Sequence, residues 1–317
     1  MQKPMEYNFI QKDMYKFKIM SYNVRCADDK LRYEVDGSVK TRVKYIIKNI
    51  LTYMPDTIGF QEVRISTNPK TQTWDTLLKE GLKDYYIGVG VGRDERKVSE
   101  ANPIYYNKYK LVLLDQGTKW LSPEPDKPFT AFPKPSDGLN RIFTFAVLKN
   151  IYSNVIYIHI NTHLDYKYAQ NRVRQIQVVI DFISKFNNYY PILLTGDFNS
   201  TFSDKNDAIP YLLKNGFYNA AFEAKFTDKF WTFPAIDYTK NVYDKCAKRG
   251  KHKNGVDVKL QKYCDRYCDE EHGKIIDYCL RCNNKIMFEL YKVVNDYNIC
   301  GGISSDHYPI YIEGYFV

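Results

Sequence analysis

The chain of 317 residues is 44% apolar and 26% charged, the balance of a globular protein rather than a disordered one. Its longest apolar runs, such as residues 155–158, cannot span a bilayer, and residues 1–15 lack the apolar stretch of a signal peptide, so a cytoplasmic protein without a transmembrane segment is expected. The excess of 46 Lys+Arg over 37 Asp+Glu, a net +9, suits a polyanionic partner, although an A/T-biased coding sequence gives the same lysine surplus.

In chain order, runs rich in β-branched and aromatic residues read as strands at Phe17–Val24, Thr57–Val63, Tyr85–Gly90, Pro103–Asn107 and Leu111–Leu121. Arg141–Leu148, Val155–Leu164, Ile192–Phe198, Ile275–Leu280, Ile286–Val294 and Tyr308–Phe316 read the same way. Helical spacing of apolar residues marks Thr41–Tyr53 (Val43, Ile46, Ile47, Ile50, Leu51) and Ala169–Phe186 (Val173, Ile176, Val179, Ile180, Ile183). Helix–strand alternation followed by consecutive strands predicts sheets covered by helices, with much antiparallel pairing.

No repeat or linker divides the chain, and candidate site residues spread from 23 to 307 (below) argue for residues 1–317 as a single domain rather than the two that the length would allow. An insertion at about 240–274 breaks the rhythm; residues 245–263 hold seven Lys/Arg against one acid, Asp257. Loops this long are usually functional or mobile. Of seven cysteines, five fall between Cys246 and Cys282. Cys264, Cys268, Cys279 and Cys282, with His252 and His272 near, have a zinc-like spacing. Residues i and i+3 of a strand face opposite ways, however, which argues against chelation by the last pair. Reduced thiols are expected.

The chemistry lies in polar residues that end apolar strands, where sites in layered α/β proteins gather. They are Asn23 (Ser21-Tyr-Asn-Val-Arg25), Glu62 (Phe60-Gln-Glu-Val-Arg64), His163 (Asn161-Thr-His163), Asp197 and Asn199 (Gly196-Asp-Phe-Asn199), Asp277, and Asp306 with His307. Any one of them could cap a turn or end a solvated strand. Together, hard carboxylates, amides and two imidazoles are what metal-assisted hydrolysis of a phosphoester needs.

In this order the motifs resemble the endonuclease/exonuclease/phosphatase superfamily, from Phe17 to Pro309. The resemblance implies a four-layer α/β sandwich, two packed mixed sheets flanked by helices, and a phosphoester hydrolase using Mg²⁺ or Mn²⁺. It implies Glu62, Asn23 and Asp306 at the metal, and Asp197 with Asn199 on the attacking water. It also implies His307 oriented by Asp277, and His163 near the leaving group with Glu100 as its orienting carboxylate. Arg25 and Arg64 are candidate phosphate contacts, with surface arginine the alternative, and Asn161 is a candidate substrate contact on the strand face of His163. His159 reads as a core histidine, and Tyr166 and Asp165 as residues at the rim of the pocket.

The segments Gly88–Asp94, Pro103–Asn107, Gly117–Ser122 and Asn140–Ile142 are similar to bacterial members near the deadenylase–nocturnin branch. That favours a phosphodiesterase or nuclease on RNA or DNA, an exonuclease by analogy. Trp120 and Trp231 are then base-stacking candidates, with core packing the favoured alternative. The competing readings are a phosphatase or phosphodiesterase of a small phosphorylated sugar, inositol, nucleotide or lipid head group, and a non-catalytic binding module on the same scaffold.

Overall fold

Alternation along the strands sets the architecture. In Lys16–Asn23, Phe17 and Ile19 enter one apolar cluster while Met20 and Tyr22 enter another, because successive side chains leave a strand on opposite faces. The computed structural model describes residues 14–26, 39–68, 70–186, 188–228, 231–234, 273–294 and 304–317.

In chain order the strands are β1 (Lys16–Asn23), β2 (Thr57–Gln61), β3 (Val63–Ser66), β4 (Tyr86–Val89), β5 (Val98–Ala101), β6 (Ile104–Asn107), β7 (Leu111–Trp120), β8 (Ile142–Asn150) and β9 (Ile156–His163). They continue with β10 (Ile192–Asp197), β11 (Tyr218–Asn219), β12 (Phe226–Thr227), β13 (Phe233–Pro234), β14 (Gly273–Lys274), β15 (Asp277–Arg281), β16 (Ile286–Val293) and β17 (Ile310–Phe316). Among the described residues, one seven-stranded sheet runs β12-β16-β17-β1-β2-β6-β4 and one six-stranded sheet runs β11-β15-β10-β9-β8-β7. Both are mixed: β1 lies parallel to β2 and antiparallel to β17, and β10 parallel to β9 and antiparallel to β15.

Three apolar clusters make four layers. Between the sheets sit Phe17, Ile19, Leu193, Cys279 and Ile312. The helices Val39–Tyr53 and Trp74–Leu82 cover the outer face of the first sheet through Ile46, Ile50, Trp74 and Leu78. The helices Ala169–Ile183 and Ala208–Lys214 cover the second through Ile176, Val179, Ile209 and Leu212. The fold is the α/β sandwich that the motifs implied. Trp74–Leu82, Ala208–Lys214 and the short β3–β5 pair are additions to the elements read from the pattern. No described helix is long and apolar enough to cross a membrane.

The space between the sheets changes character along the strands. Above the apolar layer lies a buried polar belt. Gln61 Nε2 donates to Asn161 Oδ1 at 2.7 Å and to Ser21 Oγ at 3.1 Å, and Thr195 Oγ donates to Asn161 Oδ1 at 3.2 Å. Asn161 Nδ2 donates across the gap to the Phe60 carbonyl at 2.7 Å. The sheets approach so closely here that a Cβ on Gly59 would stand 2.5 Å from both Asn161 Oδ1 and Thr195 Oγ. Only glycine fits between them. His159, fully buried, pairs with Thr195 Oγ at 2.8 Å, a core histidine as expected.

Of the insertion, residues 240–272 and their cysteines, Cys246, Cys264 and Cys268, lie outside the described residues, as do His252 and His272. Cys279 is buried between the sheets, whereas Cys282 packs against the outer cluster; both are free, the opposed facing expected of strand positions i and i+3. Trp120 is buried, its Nε1 donating to the Arg93 carbonyl at 2.9 Å, and packs on Phe129. Trp231 lies against Gly273 in the β13–β14 pair.

Candidate active site

The site stands one layer above the polar belt, where each central strand places its last inward-facing residue. The Phe17–Ile19–Ser21 face of β1 ends at Asn23, the His159–Asn161 face of β9 at His163, and the Leu193–Thr195 face of β10 at Asp197. Antiparallel β15 begins there with Asp277, paired to Asp197. Gly196, at φ +155°, lets β10 run against β9; a Cβ there would stand 2.2 Å from the Thr162 carbonyl oxygen.

Three residues turn through left-handed backbone: Glu62 at φ 63°, Arg25 at 55° and Asn199 at 49°. Each costs about 1 kcal/mol or more for a side chain with a Cβ. At Glu62 the turn breaks the chain between β2 and β3 and redirects the carboxylate toward the second sheet.

The side chains meet. Asn23 Nδ2 donates to Glu62 Oε1 at 3.1 Å and to Asp197 Oδ2 at 2.9 Å, joining the two sheets, and the Cys26 amide donates to Glu62 Oε2 at 2.8 Å. The Asn199 amide donates to Asp197 Oδ1 at 2.9 Å. Asp277 Oδ2 lies 2.9 Å from His307 Nδ1, and His307 Nε2 lies 3.6 Å from Asp197 Oδ2. On the other flank His163 Nε2 is 3.5 Å from Asp197 Oδ2 and accepts from Asn199 Nδ2 at 3.0 Å. Ser305 Oγ donates to the Asn23 carbonyl at 2.6 Å and receives the His307 amide at 3.2 Å, which fixes the Asp306–His307 loop. Thr232 Oγ accepts the Asp277 amide at 3.1 Å.

Burial and neighbouring charge sort these groups. Burial lowers an imidazole, but Asp277 and Asp197 prevail at His307 and raise it to about 10, so it is a cation. Burial, reinforced by Asp277 and opposed by His307, raises Asp197 to about 7. Burial also keeps His163 neutral, with Arg141 and Arg93 adding to it and Glu62 opposing. Burial works against the Glu62 carboxylate, yet the bonds from Cys26 and Asn23 and the His307 cation hold it below the usual carboxylate range. Burial beside Glu62 and Glu100 pushes the Cys26 thiol up, which leaves it no nucleophile.

These groups open on a cleft of about 400 Å³, lined also by Arg93, Leu139, Arg141, Tyr166, Phe233 and His307. Glu62, Glu100, Asp306 and Asn199 also line it, while Asp277 stands behind His307. The donor set fits a hard divalent ion: Glu62, His163 and Asp197 each offer a ligand atom within 4.8 Å of the others, as do Asp197, Asp277 and His307. Asp277 and His307 already bond one another, so the first group is the better cradle.

Some expected residues serve elsewhere. Glu100 lines the cleft, but its carboxylate meets Arg93 Nη2 at 3.1 Å and the Cys26 thiol at 3.5 Å, not His163, whose Nδ1 has no hydrogen-bond partner among the described residues. Asn161 does not reach the cleft: it is fully buried and its amide is spent on the polar belt. Arg25 turns toward Asp306, 3.7 Å away, and Arg64 sits on β3 opposite Glu100; neither lines the cleft. Tyr166 stands at the rim, 60% exposed, whereas Asp165 is buried and accepts the amides of Asp137, Lys167 and Tyr168. Arg93 and Arg141 were not foreseen as site residues. The available signal was topological: Arg141 enters β8, whose first residues pair with the end of β9 beside His163.

The family model described as the endonuclease/exonuclease/phosphatase family matches residues 20–307, and no curated protein matches the sequence. Among solved structures, an endonuclease/exonuclease/phosphatase from Bacteroides vulgatus superposes with TM-score 0.74 at 21% identity, covering 95% of this chain and 99% of that one. The mannosyl-6-phosphatase of Bacteroides thetaiotaomicron gives 0.70 at 19%, covering 95% and 100%. The human nocturnin catalytic domain, which holds a sulfate anion, gives 0.63 at 13%, covering 95% of each. At these identities the likeness is one of fold. It extends over structures of varied function and does not single out the deadenylase–nocturnin branch, contrary to the expectation from Gly88–Asp94 and its companion segments. The chain belongs to the endonuclease/exonuclease/phosphatase family and is a metal-dependent hydrolase.

Proposed function

Starting from that membership, we propose that the protein cleaves the phosphoester of a small phosphorylated molecule, such as a sugar, inositol, nucleotide or lipid head group, with Mg²⁺ or Mn²⁺. On this reading residues 1–317 act as a single domain. The observation that carries the proposal is the convergence of Glu62, His163, Asp197 and the Asp277–His307 pair on one cleft. Its volume of about 400 Å³ accommodates one small phosphorylated ligand.

Glu62 and His163, with Asp306 as a further oxygen donor, would hold the ion beside Asp197, and Asn23, whose Nδ2 faces both carboxylates, would fix their spacing; the ion when bound would neutralise phosphoryl oxygens and acidify water. Asp197, poised near neutrality by burial, takes the proton of the attacking water, and Asn199 fixes its orientation. The His307 cation, held by Asp277, offers its Nε2 proton to a phosphoryl oxygen. His163, neutral, stands on the opposite flank of Asp197 with an unprotonated Nε2, which would serve the ion rather than protonate a leaving oxygen.

A second reading, a nuclease on RNA or DNA, draws on the net charge of +9 and the basic residues 245–263. The test is a panel of sugar phosphates, p-nitrophenyl phosphate, bis-p-nitrophenyl phosphate and single-stranded RNA and DNA, assayed with Mg²⁺ or Mn²⁺ and after EDTA. Turnover of the small esters, lost on chelation and restored by the metal, is expected. Shortened oligonucleotides with the small esters intact would favour the nuclease, and full activity after exhaustive chelation would refute the metal site.

A further inference from the structure

Two arginines that line the cleft are unusual in their burial: Arg141 is 3% and Arg93 8% exposed. Arg141 is aimed by Asp137, whose Oδ2 accepts from Nε at 3.0 Å and Nη2 at 2.7 Å, and whose other oxygen accepts the Leu139 amide at 3.0 Å. Asp137 is fixed in turn through its amide, which donates to Asp165 Oδ2 at 2.7 Å. Arg93 is held by Glu100, and Asp94 beside it accepts from Asn140 Nδ2 at 3.0 Å, which ties the two arginine segments together. Only one edge of the Arg141 fork is used. Its Nη1 makes no hydrogen bond among the described residues, although the side chain lines the cleft.

A guanidinium buried against a single carboxylate is a poor source of stability, since an apolar residue of the same size generally does as well. Its placement beside the hydrolytic groups gives it a different use. A terminal phosphate carries close to two negative charges and three free oxygens near neutral pH. An internal diester carries one charge and replaces the third oxygen with an ester arm. The ion held at Glu62 and the His307 cation serve either group; a further pair of buried guanidinium groups is matched to the dianion.

Resting on the hydrolase reading above, we propose that Arg141, aimed by Asp137 and flanked by Arg93, recognises a terminal phosphate dianion and makes the enzyme a phosphomonoesterase. Arg141 is thus a specificity-determining residue of this cleft.

The test compares kcat/KM for p-nitrophenyl phosphate and bis-p-nitrophenyl phosphate in the wild type, Arg141→Gln and Arg141→Lys. The wild type should prefer the monoester at least about tenfold. Arg141→Gln should lose about a hundredfold on the monoester, chiefly through KM, and less than about fivefold on the diester. Arg141→Lys should fall between, since it keeps the charge but not the fork. Inhibition of the wild type needs no variant to fold: inorganic phosphate should inhibit at least about tenfold more strongly than dimethyl phosphate. A wild type that prefers the diester, equal inhibition by the two anions, or equal loss on both substrates in a folded Arg141→Gln would overturn the assignment while leaving the hydrolase intact. No turnover of either substrate would remove the hydrolase reading and this inference with it.

Discussion

Replacing His159 with glutamine isolates one buried ionisation. The ring is fully buried between the sheets, and burial lowers its pKa from 6.5 to about 3. The unfolded chain therefore binds a proton below about pH 6.5 that the folded chain refuses, so stability rises with pH in this window. The contribution is complete above about pH 6.5 and is lost progressively as the pH falls toward about 3. The slope is about 1.4 kcal/mol per pH unit, or about 2 kcal/mol lost by about pH 5. Glutamine cannot titrate, while every other group titrates alike in the two proteins. Urea unfolding of metal-free wild type and His159→Gln at about pH 8 and about pH 5 gives a double difference. Relative to the variant, the wild type should lose about 2 kcal/mol between the two conditions. A stability gap that stays constant within about 0.5 kcal/mol would show that the ring accepts its proton in the folded state, and would refute the reasoning.

Asp197→Asn and His307→Ala should each lower turnover by about a thousandfold or more, with circular dichroism unchanged. The amide should not cost Asp197→Asn its fold, because burial already disfavours the charge at that position; undiminished hydrolysis by either variant would refute the site. Gly59→Ala should destabilise by about 1–3 kcal/mol in thermal unfolding, since its Cβ meets Asn161 and Thr195 at 2.5 Å; a melting temperature like that of the wild type would mean that the sheets part freely.

Much of the site was legible in the sequence because acids, amides and imidazoles end apolar strands, and a period of two then tells which face they occupy. Asn23, His163 and Asp197 fall out of that arithmetic. The same arithmetic misleads at Asn161, which shares the face of His163 but sits one layer lower, where the sheets close. Arg141 escaped notice because its partner Asp137 and its neighbour His163 come from different segments, and no local spacing announces their meeting. Glu100 sits at the right place, yet which cation its carboxylate would choose depended on Arg93, seven residues earlier in sequence and across a hairpin. The helix Trp74–Leu82 escaped because it is only nine residues long and carries Gly81, so few turns of pattern mark it.

The polar belt has a mechanical consequence. Asn23, Glu62 and His307 ride on one sheet, and His163, Asp197 and Asp277 on the other. Directly below them Gln61, Asn161 and Thr195 pin the two slabs at a single height. Shear between the slabs would have to tear those bonds out of a dry interior before it changed the spacing between opposing halves of the site. The belt thus acts as a dowel, transmitting the rigidity of the sandwich to groups that no covalent path shorter than dozens of residues connects.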